Sequence, residues 1–147
     1  MKKIYERDMH NITTQQSGLE TLKLPIGHNK QYSHYDASNK KYIVEYKARR
    51  KFFRTTQIEE FKLDKLIDIA TKQGRKQVLY VVYDGVDSIH YFNLTNLLAE
   101  DYDFKWTTRK CPWTSEFPEQ GSNGMMIDKR VGEICWTKAM HKVKVGE

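Results

Sequence analysis

The sequence has little of what usually makes a small chain easy to classify. Two cysteines in 147 residues, Cys111 and Cys135, cannot staple a disulfide scaffold, and a reducing, cytoplasmic setting is the expectation. No stretch approaches the roughly 18 apolar residues needed to cross a bilayer, so no membrane partner is expected. The opening Met1-Lys2-Lys3-Ile4-Tyr5-Glu6-Arg7-Asp8 is too polar for a secretory h-region. Internal repeats, low-complexity tracts and linkers are lacking too, which leaves one domain over residues 1–147 as the expectation.

Several chemistries drop out with them. The turn Gly121-Ser122-Asn123-Gly124 has no Lys-Ser/Thr after it at the spacing of a phosphate-binding loop. Cys111, Cys135 and His141 lack the paired spacing of zinc ligands, so the cysteines read as small buried side chains. No serine or cysteine nucleophile constellation can be assembled. What the chain does have is cationic charge: 25 Lys and Arg against 19 Asp and Glu, a net +6. A basic balance suits a polyanion, because each neutralised phosphate releases counterions.

The first thirty residues show no strong period. Residues 31–36 read as a strand, 37–40 as its turn and 41–50 as a second strand, together a hairpin. A helix is expected over 56–73, with Thr55 or Thr56 as N-cap, Glu59 and Glu60 in the first turn and Gly74 as the stop. Leu63, Leu66, Ile67 and Ala70 form its apolar stripe, and Glu60, Asp64, Asp68 and Thr71 its solvent face. Residues 77–83, Gln-Val-Leu-Tyr-Val-Val-Tyr, read as a strand buried on both faces. Asp84-Gly85 turns the chain into a further strand over 88–93. Beyond it we expect a short helix over 95–100, a strand over 104–107, a loop over 112–124 and a late strand over 129–138. The order is that of an α/β protein bordering on α+β, with a mixed sheet and a right-handed strand–helix–strand crossover flanked by helices.

The segment Tyr42-Ile43-Val44-Glu45-Tyr46-Lys47-Ala48-Arg49 stands out. Strand alternation puts Tyr42, Val44, Tyr46 and Ala48 on one apolar face, and Ile43, Glu45, Lys47 and Arg49 on the other. Glu45 and Lys47 then point the same way, separated by roughly 6–7 Å of strand rise. A turn centred on Asn39-Lys40 would pair Asp36 near Ile43 and so place it on the face of Glu45. Two carboxylates and a lysine so placed suit Mg²⁺, which binds through one or two carboxylates and keeps several waters. Such an ion neutralises a phosphate and acidifies an attacking water, which the lysine can orient.

These residues resemble a known signature. Tyr35-Asp36 followed by Ile43-Val44-Glu45-Tyr46-Lys47 is similar to the motif of the PD-(D/E)xK nucleases, the restriction-endonuclease-like superfamily, with Tyr35 where the motif has proline. The order of hairpin, helix and buried strand is similar to that family's core over about residues 31–92. A looser likeness is to phage and archaeal enzymes that resolve Holliday junctions. The resemblance implies a Mg²⁺- or Mn²⁺-dependent endonuclease acting on DNA, with junctions or branches as candidate substrates, Asp36 and Glu45 as metal ligands and Lys47 as the catalytic lysine. It also implies a homodimer and a further acidic ligand, for which Glu20 in Ser17-Gly18-Leu19-Glu20 is the first candidate and Glu6 the second.

Basic residues follow the motif directly. Arg49, Arg50, Lys51 and Arg54, interleaved with Phe52 and Phe53, read as a phosphate-tracking patch, the alternative being a solvated strand end. Lys62 lies beside the apolar stripe of the helix and either snorkels past it or reaches the site; the second is expected, and Lys62 joins the nucleic-acid contacts. Gln57 is placed to approach the same site. Trp106, Trp113 and Trp136 are assigned chiefly to the core. Two rival readings remain: a non-catalytic nucleic-acid-binding protein on the same fold, and a metal-independent RNase using His28 and His34 by general acid–base catalysis.

Overall fold

The apolar run at 77–83 becomes the centre of the molecule. The computed structural model describes residues 3–25 and 35–145; His28, His34 and most of the first expected strand lie outside them. Among the described residues the chain is a mixed α/β structure with two sheets and three α-helices. The elements are α1 (Glu6–Thr13), β1 (Ala37–Ser38), β2 (Tyr42–Ala48), β3 (Thr55–Glu59), α2 (Glu60–Lys72), β4 (Gln77–Tyr83), β5 (Ser88–Asn93), α3 (Leu94–Ala99), β6 (Thr107–Pro112), β7 (Met126–Cys135), a 3₁₀ turn (Trp136–Lys138) and β8 (His141–Lys144).

The larger sheet runs β1-β2-β4-β5-β8, and the smaller runs β3-β7-β6. β2 and β4 are parallel, with Glu45 beside Tyr80 and Lys47 beside Val82, while β4 with β5 and β5 with β8 are antiparallel. Both faces of the larger sheet are covered, which explains the unbroken apolar character of β4. On one face Ile43, Val78, Tyr80, Val82 and Phe92 pack with Leu63, Leu66 and Ala70 of α2 and with Ile58 and Ile134 of the smaller sheet. On the other, Val44, Tyr46, Leu79, Val81 and Tyr91 pack under Met9 of α1 and under Leu19 and Leu22. No described helix is long and apolar enough to cross a membrane.

Three expectations need correction. The expected helix over 56–73 begins at Glu60, because Thr55–Glu59 is a strand that pairs antiparallel with β7. Its burial alternates, with Thr56 and Ile58 buried and their neighbours half-exposed, so the period of two prevails over the capping signal of the threonines. The connection from β2 to β4 therefore visits the second sheet before it enters the helix. The strand expected at 104–107 lies later, at Thr107–Pro112: Lys105 adopts a positive φ of 53° and its N–H bonds Asp103 Oδ1, so the chain turns there. The late strand begins at Met126 and ends at Cys135, followed by the 3₁₀ turn.

The first thirty residues contain α1, an eight-residue helix whose apolar side is short, with Met9 buried and Ile12 packed against the same core. Asp8 Oδ2 accepts from the Tyr5 N–H at 2.9 Å, and Glu6 and Asp8 place negative charge at the helix N-terminus. The helix docks through polar contacts: His10 Nδ1 lies 2.7 Å from the Tyr46 hydroxyl, and Thr13 Oγ1 lies 3.0 Å from that of Tyr91. Met9 is the fully buried apolar anchor between them.

Candidate active site

The site is built where β1 stops short. Ala37 pairs with Val44 and Ser38 with Ile43, so the antiparallel register sets Asp36 opposite Glu45, two residues further along β2 than the expected partner Ile43. The Asp36 N–H still donates to the Val44 carbonyl at 2.9 Å, and the next N–H on that edge of β2, that of Tyr46, donates to Asp36 Oδ2 at 2.8 Å. A side-chain oxygen thus satisfies this partly buried backbone donor. This bond fixes the carboxyl through one of its oxygens.

Glu45 faces α2. Its side chain is 14% exposed, and Lys62 Nζ approaches Oε2 at 3.6 Å, so Lys62 reaches the site as expected. Its position in the first turn of α2, next to the buried Leu63, aims the stem along the helix surface toward the strand. Glu45 opens on a cleft of about 180 Å³ that Lys47, Gln57, Lys62, Tyr80 and Cys111 also line. Gln57 does approach the site, though from a strand and not from a helix start. Lys47 is exposed at the mouth.

The electrostatics single out three acids. Burial, followed by the charge of Asp36, pushes the Glu45 carboxyl up to about 8, with Glu6 adding to the rise and Lys62 opposing it. Asp36 is also raised, mainly by burial, against the Tyr46 N–H and the ammonium groups of Lys62 and Lys47. Glu6 is raised by partial burial and by Asp36, with Lys47 and Lys62 again opposing. The two lysines do not offset the burial of these carboxylates, to which neighbouring acids add for Glu45 and Glu6, and a further cation would.

Glu6 is therefore the further acid whose field reaches the pair. Glu20, the first candidate from sequence, is exposed in the turns after α1 and is not among the charges that shift Asp36 or Glu45. Glu6, the second candidate from sequence, owes its place to α1, a helix that the sequence reading did not assign.

Arg49 has an internal task. Its Nη2 donates to the Gln57 carbonyl at 2.6 Å, with the Tyr80 hydroxyl at 3.2 Å and Thr56 Oγ1 at 3.3 Å. It ties the end of β2 to β3, so its expected role as a free phosphate ligand is reduced to adding positive charge beside the cleft. Tyr80 was hidden in the apolar run. Its hydroxyl donates to the Gln57 carbonyl at 2.9 Å, and burial pushes it up to about 12. Arg50, Lys51 and Arg54 are exposed in the loop between β2 and β3, free to meet a large ligand.

Cys111 is half-buried in the cleft wall, and the Cys135 thiol is held below its usual range chiefly by a hydrogen bond with Thr137. Among the described residues no three His, Cys, Asp or Glu side chains close on one point as a preformed metal cage. A cation here would be held by the two carboxylates Asp36 and Glu45 and would keep a shell of water, a donor set that fits Mg²⁺ and not zinc. Compared with protein-family models, curated proteins and solved structures, the chain finds no match.

Proposed function

We propose that the chain is a Mg²⁺-dependent endonuclease, with Mn²⁺ as substitute, that hydrolyses DNA phosphodiester bonds in the manner of the PD-(D/E)xK enzymes. The observation that carries this reading is the β1–β2 register, which sets Asp36 opposite Glu45 with Lys47 two residues on, the order and spacing of the motif.

Asp36 and Glu45 would hold the ion, with Glu6 contributing negative field from α1. When bound, the cation supplies charge to the scissile phosphate and a more acidic water. Lys47, exposed at the mouth of the cleft, orients that water or meets a non-bridging phosphate oxygen. Lys62 balances Glu45 from the helix. The cluster Arg50, Lys51 and Arg54 grips the backbone without reading sequence. A homodimer would let two such sites cut two strands.

The rival from another class is a protein on the same fold that binds nucleic acid and cuts nothing. Incubation with branched, duplex and single-stranded DNA in Mg²⁺, in Mn²⁺ and in EDTA separates the two. Cleavage that needs the divalent ion and disappears in Glu45→Gln supports the nuclease; tight binding without cutting under every condition supports the rival. Cleavage of an RNA strand that survives EDTA and is lost in His34→Ala would instead point to the histidine-based RNase reading.

A further inference from the structure

The loop of residues 49–54 carries two features that the cleavage chemistry does not use. Phe52 and Phe53 are each 53% exposed, side by side, in a stretch where Arg49, Arg50, Lys51 and Arg54 stand with no acidic residue. A single exposed phenylalanine is ordinary; two adjacent ones on a connecting loop, framed by cations, form a patch that water solvates poorly.

The loop is also braced. Phe52 lies on the Trp136 ring with centroids 5.9 Å apart and planes 21° from parallel. Trp136 is itself fixed, its Nε1–H donating to the Phe53 carbonyl at 2.7 Å and its ring packing on His90 at 4.5 Å and Phe92 at 6.0 Å. Behind the loop, a Cβ built on Gly85 would lie 2.8 Å from the Lys51 backbone, so the β4–β5 turn supports it closely. Lys51 Nζ sits 5.3 Å from the centre of the Phe53 ring. The aromatic faces are therefore presented by a supported loop and not by a loose one.

We infer that Phe52 and Phe53, backed by Trp136, form a stacking platform for unpaired bases, and that the preferred substrate of this site is DNA with a single-stranded segment beside the cleavage position. This rests on the nuclease reading and narrows its substrate class. Exposed aromatic rings next to cations are the combination that holds single strands, since every base has a π face while the phosphates meet the charges. A paired duplex offers no free base face except at its ends. The geometry also bounds the spacing. Phe52 is five residues beyond Lys47, at most about 18 Å along an extended chain, which corresponds to about five nucleotides at 3.4 Å per step. The unpaired bases should thus lie within about five nucleotides of the cut. The five cations from Lys47 to Arg54 argue for a polyanion over an apolar protein partner.

The test is anisotropy of fluorescent DNA with the full-length protein in EDTA, where nothing is cut, on a blunt duplex, a forked duplex with unpaired arms, and a single strand. The wild type should prefer the fork over the blunt duplex by about tenfold, in keeping with the loss usual for one stacked base. Phe52→Ala/Phe53→Ala should erase that preference while duplex affinity stays within about twofold. Phe52→Leu/Phe53→Leu keeps apolar bulk without a π face and should behave the same, which guards against misfolding of the alanine variant. Arg50→Ala/Lys51→Ala/Arg54→Ala should weaken all three substrates alike. A 2-aminopurine base at the fork should be quenched by the wild type and not by the leucine variant. Equal binding of fork and duplex by the wild type, or an unchanged preference in the leucine variant, overturns the inference, as does a shift to dimer formation as the only property the patch controls. Failure of the nuclease reading looks different: fork preference intact, but no cleavage in Mg²⁺ or Mn²⁺.

Discussion

On one face of β2, Val44 and Tyr46 are at most 1% exposed beneath α1. On the other, Ile43 is sealed by α2, Glu45 is only partly covered and Lys47 stands in solvent. The same seven-residue strand thus carries a closed face, where every contact contributes stability, and a face that opens step by step and gathers charge that burial penalises. The sheet supplies the rigidity with which such a site must be held. The carboxylates make the reverse contribution, because each is raised by its surroundings and would be relieved by protonation or by a cation.

The sharpest way to break this division is to remove charge from the open face alone. Glu45→Gln or Lys47→Met should lower the cleavage rate by about 10²–10³-fold or more, the usual loss when a group that stabilises developing charge is deleted. DNA binding should persist, and Glu45→Gln should melt no lower than the wild type in EDTA. Near-normal turnover in either variant would falsify the assignment of the site.

Next comes pH. The Glu45 carboxyl keeps its proton up to about pH 8 in the folded chain against an ordinary value of 4.5. Between those values the folded state binds more protons than the unfolded one, so stability must fall as pH rises. The contribution is fully present below about 4.5 and is lost as pH passes 8. Urea melts in EDTA should therefore show a decline on the order of a few kcal/mol over that window. Mg²⁺ should restore much of it near pH 8, and Glu45→Gln should flatten it; a wild-type profile already flat would mean that the carboxyl is not desolvated.

How far the sequence foretold these two faces follows from the range of the interactions involved. β2, β4, β5 and α3 were legible because their signals are local: alternation, an unbroken apolar run, a short amphipathic turn. The antiparallel partner of Glu45 was misjudged by two residues, yet an even slip preserves which face a position takes, so Asp36 still stands opposite Glu45 in the register. Glu6 could not be read this way. It reaches the site from a helix that starts thirty residues before Asp36, and that helix spans only eight residues, with Met9 and Ile12 as its apolar side and His10 and Thr13 making polar contacts, too short a pattern to stand out. Arg49 looked like a phosphate ligand because its acceptors, on β3 and β4, belong to tertiary structure that a linear reading does not contain.

The closed face should respond in the opposite way. Leu79 is fully buried there with Val81 and Tyr91, so Leu79→Ala should cost about 3 kcal/mol by loss of transfer energy and the cavity left behind. Cleavage per folded molecule should stay within about twofold of wild type in saturating Mg²⁺. A large loss of turnover at full folding would show that the two faces are coupled through the strand.

The smallest effect concerns the polar seam beneath α1. Thr13 Oγ1 and the Tyr91 hydroxyl, 3.0 Å apart, satisfy each other in a buried setting. Tyr91→Phe leaves the threonine hydroxyl without that partner, and Thr13→Val leaves the phenol without it, so each should cost about 1 kcal/mol. The double variant removes both polar groups together and should recover most of that loss, giving a favourable coupling of about 1 kcal/mol in a double-mutant cycle. Strictly additive losses would mean that the seam is held by shape alone, and that α1, with Glu6 at its first turn, is positioned by Met9 and its apolar neighbours.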